Sequence, residues 1–138
     1  MNPDLFSNLN WLAVLVGSLG YFILGAVWYS ALFRNQWMKA VGITMDGNSS
    51  KGLGGILVAS FVTVLICSIG LALLIAKIGS SGWMTGAKIG LIAGVCFSAA
   101  TIANSYFYEK RPVSLMLING FYNIFGCMIS GIIIAVWK

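Results

Sequence analysis

The sequence predicts an all-α integral membrane protein, a four-helix bundle with short loops, on three observations. Hydrophobic residues make up 59% of the 138 positions, only 8% are charged, and mean hydropathy is +0.95. A soluble domain is typically about a quarter charged, because its surface stays in water; this composition calls for lipid as solvent. The apolar residues also fall into four runs, each long enough for the roughly 20 residues that cross a bilayer as a helix. Trp and Tyr mark the ends of those runs.

The runs cover residues 11–32, 53–76, 85–108 and 113–137, within a single transmembrane domain. The first starts at Trp11 and stops before Phe33-Arg34-Asn35-Gln36-Trp37, and the second lies between Lys51 and Lys77. Gly79-Ser80-Ser81-Gly82 reads as a turn into the third, and Glu109-Lys110-Arg111-Pro112 as a tight charged turn into the fourth. Pro112 suits a helix N-terminal edge, where its missing N–H is no loss. The stretch from Thr44 to Gly54, with Asp46-Gly47-Asn48-Ser49-Ser50, is the one flexible linker. Met1-Asn2-Pro3-Asp4 has no basic character and no small-x-small cleavage site follows, so the first run is expected to stay as a span.

Aromatic residues give the same limits independently. Trp11, Trp83 and Trp137 fall on one side of the bilayer, and Trp28, Tyr29, Trp37, Tyr106 and Tyr108 on or near the other, as interfacial belts require. Arg34, Lys39, Lys51, Lys110 and Arg111 lie on the side of the first and third loops; Lys77, Lys88 and Lys138 lie opposite. The positive-inside rule then places the first and third loops in the cytoplasm and both termini outside.

Charge and ligand chemistry exclude several classes. The net charge of +5 comes from residues at the ends of apolar runs, not from one basic face that would track phosphates. The partners implied are the lipid bilayer and its anionic headgroups, not nucleic acid. Cys67, Cys96 and Cys127 all lie within apolar runs, with no C-x-x-C pair, and are read as buried small hydrophobes without a disulfide framework. The chain has no His, and no Asp, Glu, Lys or Arg in the middle of a span. A proton-coupled exporter lacks its titrating carboxylate, haem and zinc sites lack their usual ligand, and a Ser nucleophile lacks its base. No cofactor, no metal and no enzymatic activity are expected.

A turn of about 100° per residue sorts the helix faces. On the third helix, Gly90, Ala93, Gly94, Phe97, Thr101, Asn104 and Ser105 share one side, opposite Ile92, Val95, Ala99, Ile102 and Ala103. Gly86, Gly90, Gly94 and Ser98 form a small-x-x-x-small ladder, suited to close backbone packing within the bundle or between copies. On the fourth, Asn119, Tyr122, Asn123, Gly126 and Ser130 share a face, with Phe121, Phe125, Met128 and Ile132 away from it. Ala13, Gly17, Gly20, Tyr21, Leu24 and Trp28 align on the first, and Ser60, Thr63 and Cys67 are the most polar side of the second. Depth then brings Trp28, Tyr29, Ser60, Thr101, Asn104, Asn119, Tyr122 and Asn123 toward the first and third loops. Such side chains most often hydrogen-bond across helices and fix packing; the sharper reading is a polar pocket or pore.

Two stretches resemble the DUF1761 family of small bacterial membrane proteins. Asn10-Trp11-Leu12-Ala13-Val14-Leu15, Gly25-Ala26-Val27-Trp28-Tyr29-Ser30 and Trp37-Met38-Lys39 are similar to its start. Arg111-Pro112, Leu117-Ile118-Asn119-Gly120-Phe121-Tyr122 and Gly131 are similar to its last hairpin. The resemblance implies a compact four-helix protein of the bacterial inner membrane and no established activity. The family tends to place Pro after Trp-Tyr-Ser and Gly after the next Phe, where this chain has Ala31 and Arg34. Relatives often carry His after the Tyr of the last helix, where Asn123 stands here, so no proton or metal role of such a His applies.

The function expected from these residues is non-enzymatic: a homo-oligomeric channel or passive transporter for a small solute or ion, built from neutral polar groups. The alternative is a structural or accessory membrane protein that binds lipid or a larger membrane complex.

Overall fold

Apolar runs of this length satisfy every backbone N–H and C=O within themselves only as helices, and that is the architecture observed. The computed structural model describes residues 4–7, 9–41, 53–79 and 81–137. Among the described residues, four helices are long and apolar enough to cross a membrane: Trp11–Leu32, Gly54–Ile78, Trp83–Glu109 and Val113–Val136. They form an all-α integral membrane four-helix bundle. The expected linker lies outside the described residues up to position 52, as do Lys51 and Lys138.

The turns follow from local chemistry. Gly79 and Gly82 both take positive φ, +81° and +104°, which a side chain would strain, and the Gly82 N–H donates to the Ala135 carbonyl at 3.4 Å. Lys110 closes the third span in the left-handed conformation, and Pro112 caps the fourth from an extended conformation. Asn10 caps the first: its side chain accepts the Ala13 N–H at 3.2 Å and donates to the Trp137 carbonyl at 2.7 Å. That pair of bonds ties the start of the first span to the end of the fourth. Between the first two spans, residues read only as loop include a helix, Arg34–Val41, whose Trp37 packs on Tyr29 with ring centroids 5.6 Å apart.

The fourth span is the centre of the bundle and packs on each of the other three. Against the third it makes a seam of backbone on backbone. A methyl at Gly90 would lie 2.6 Å from the Met128 Cα, one at Gly94 2.7 Å from the Ile124 Cα, and one at Gly86 2.7 Å from the Ile132 Cα. Gly131 faces Gly86 in the same way, and all four glycines are buried. The ladder that suited either the bundle or a second copy is consumed inside the chain. Ser98, its last rung, is half-buried.

Beyond Gly94 the third helix departs from the even wheel. Ala93–Ala99 is π-helical, and a π turn inserts one residue into the α repeat, so the inward stripe slips by one. Ala99, Ile102, Ala103 and Tyr106 are half-buried, whereas Phe97, Thr101, Asn104 and Ser105 are exposed. The face expected inward is outward in this half of the helix.

The second span also turns differently. Val64, Ser68, Leu71, Ala72 and Ile75 are its buried stripe, while Thr63 and Cys67 are exposed. The fourth span selects this face: the Ser68 and Ser130 hydroxyls share a buried hydrogen bond of 2.7 Å. Thr63 instead satisfies itself locally, donating to the Ser60 carbonyl at 2.7 Å. Of the cysteines, only Cys127 is buried; Cys67 and Cys96 are exposed, and all three thiols are free.

Candidate functional site

The polar cluster assembles where the first span meets the fourth. A second π-helical stretch, Trp28–Leu32, ends the first span, with the Phe33 N–H donating to the Trp28 carbonyl at 2.8 Å. Trp28 is buried, and its indole Nε1–H donates to the Ile118 carbonyl at 3.0 Å. Its neighbour Tyr29 donates its hydroxyl to Asn119 Oδ1 at 2.5 Å.

Asn119 is the hub. Its Nδ2 donates to the Tyr106 hydroxyl at 2.6 Å, so one amide joins the first, third and fourth spans. One turn along, Asn123 Nδ2 donates to the Asn119 carbonyl at 2.8 Å, and Asn123 Oδ1 accepts the Tyr21 hydroxyl. Both asparagine amides thus use donor and acceptor in the directions their chemistry allows.

Tyr122 fills the space between the two hydrogen-bonded tyrosines. Its ring stands edge-on to Tyr21 at 5.4 Å and to Tyr29 at 5.2 Å, the arrangement aromatic quadrupoles favour. Glycines make room for these rings: a methyl at Gly25 would lie 2.9 Å from the Tyr122 hydroxyl, and one at Gly126 would overlap the Tyr21 ring. Among the described residues, no buried side-chain nitrogen or oxygen lacks a hydrogen-bond partner. The cluster carries no charged side chain; the Arg111–Glu109 ion pair, at 3.4 Å, sits exposed in the turn.

Of the eight residues expected to converge, five do: Trp28, Tyr29, Asn119, Tyr122 and Asn123. Thr101 and Asn104 do not, because the π turn carries them to the outer surface; Thr101 donates to its own helix at the Phe97 carbonyl. Ser60 is half-buried and makes its hydrogen bond here through its carbonyl. Two members were missed. Tyr21 already lay on the inward stripe of the first helix, two turns before Trp28, and that alignment was the signal for it. Tyr106 was placed in the interfacial belt, and only the slipped phase of the third helix brings it in. Among the described residues, no three His, Cys, Asp or Glu side chains gather to offer a metal site.

Comparison with known proteins gives a single result. No curated protein and no solved structure matches the chain. The model of the family described as "Protein of unknown function (DUF1761)" matches residues 12–135, nearly the whole chain. The chain therefore belongs to the DUF1761 family.

Proposed function

We propose that this protein is a non-enzymatic structural or accessory component of a membrane, whose polar cluster locks the bundle. The observation that carries the reading is the pairing of both asparagine amides within the bundle. The asparagine amides are spent on tyrosines and backbone, and the Tyr122 ring is packed between its neighbours. A passage for a polar solute needs donors and acceptors left free toward the lumen; the channel or transporter expected from the sequence draws no support from this arrangement. Five cationic residues on the side of the first and third loops against three opposite support an orientation with both termini outside, and the family resemblance implies the bacterial inner membrane.

Flux through liposomes carrying the purified protein tests this directly. Potassium and glycerol are expected to leak no faster than from protein-free liposomes, and Asn119→Leu is expected to change nothing. Wild-type flux abolished in a folded Asn119→Leu variant would overturn the reading in favour of a passage. A partner retained stoichiometrically through extraction in mild detergent would identify the larger complex that an accessory component serves.

A further inference from the structure

One concave surface belongs to neither the glycine seam nor the Tyr–Asn lock. Between the second and third spans runs a groove of about 600 Å³, lined by Cys67, Gly70, Leu74 and Lys77 on one side and by Ala93 and Phe97 on the other. Its shape has two local causes. Gly70 faces open space: a methyl there would meet nothing within 4 Å, the opposite of the seam glycines. The π-helical stretch turns Phe97 outward, 68% exposed, so that its ring forms a wall of the groove rather than a plug in the core.

Length and charge identify the occupant. From Cys67 to Lys77 the groove runs about 15 Å at the 1.5 Å rise of an α-helix. That is the depth of one leaflet, half of the roughly 30 Å hydrocarbon core. A transmembrane helix docking here would need a track through both leaflets; a single acyl chain needs one. The groove ends at Lys77, in the last turn of the second span, where the chain leaves the membrane. Lys77 is exposed and has no carboxylate partner among the described residues. Its ammonium therefore stands at the level of the phosphates, at the mouth of an apolar channel of acyl-chain length.

We propose that this groove holds one acyl chain of an anionic phospholipid, from the leaflet on the Trp83 side, with Lys77 on the lipid phosphate. The proposal goes beyond the structural role of the polar cluster and stands whether or not the protein conducts solutes.

Native mass spectrometry of the full chain in a mild detergent tests it, with phosphatidylglycerol and phosphatidylcholine of the same acyl chains added in equal amounts. The wild type is expected to retain one phosphatidylglycerol, favoured over phosphatidylcholine by about fivefold. Gly70→Phe fills the groove and is expected to lower retention of both lipids by about tenfold. Lys77→Gln is expected to keep phosphatidylcholine retention while bringing the preference close to unity. Equal retention by wild type and a folded Gly70→Phe variant would overturn the proposal. So would an unchanged preference in Lys77→Gln, which decides alone if Gly70→Phe does not fold. A dimer that retains no lipid and is abolished by Gly70→Phe would assign the groove to a second copy and equally overturn it.

Discussion

The fourth span is held on two sides by different physics. Toward the third span the contact is backbone on backbone, with Gly86, Gly90 and Gly94 set against Gly131, Cys127 and Ile124. Toward the first span it is made by side chains: the Tyr21, Tyr29 and Trp28 polar atoms reach Asn123, Asn119 and the Ile118 carbonyl. Neither side draws on a hydrophobic driving force, since lipid tails are as apolar as the helices they surround. The seam gains dispersion by bringing the two backbones into direct contact at these glycines. The lock gains by pairing groups that hydrocarbon would leave unpaired. The first is therefore intolerant of additions and the second of deletions.

Substitutions separate the two sides, with unfolding followed by sodium dodecyl sulfate titration in mixed micelles. The largest effect is expected at the seam. Gly90→Leu must drive apart two backbones already in contact, and a loss of about 3 kcal/mol or more is expected. A variant as stable as wild type would show that the seam is not closed. Asn119→Leu should come next, at roughly 1–3 kcal/mol, because it leaves both the Tyr29 and Tyr106 hydroxyls without their partner. Ser130→Ala removes one buried hydroxyl pair and should cost about 0.6 kcal/mol, the average for such a bond in a membrane. The smallest change is expected at Gly70→Ala, within about 0.5 kcal/mol of wild type, since its methyl would meet only open space. If Gly70→Ala and Gly90→Leu were equally damaging, glycine itself and not its surroundings would be the cause.

These two sides were not equally legible in the sequence. The four spans were readable because length, hydropathy and flanking aromatics each mark the same boundaries. The glycine ladder was readable because Gly86, Gly90 and Gly94 recur every four residues, but its partner was not, since the same spacing suits the fourth span or a second copy. The lock was readable on the first span, where Trp28 and Tyr29 end the helix, and on the fourth, where an unbroken α-helix keeps Asn119, Tyr122 and Asn123 on one face. On the third span, a wheel of constant pitch placed Thr101 and Asn104 inside and left Tyr106 out. Nothing in Ala93–Ala99 announces a π-helix, because that choice reflects how the third span seats against the fourth. The second span is apolar all round, so its rotation is set by a partner, Ser130, that lies 62 residues away in the chain. The helix at Arg34–Val41 carries no long apolar run and was read as loop.

Neutral polar side chains are spent on holding the first span to the fourth. A double-mutant cycle between Tyr29→Phe and Asn119→Leu, measured by the same unfolding titration, tests it most directly, because it isolates the one bond that joins the two helices at the hub. A coupling between about 0.6 and 1.7 kcal/mol is expected, the span from the average to the largest such coupling in a membrane. Independent effects, with a coupling indistinguishable from zero, would contradict it.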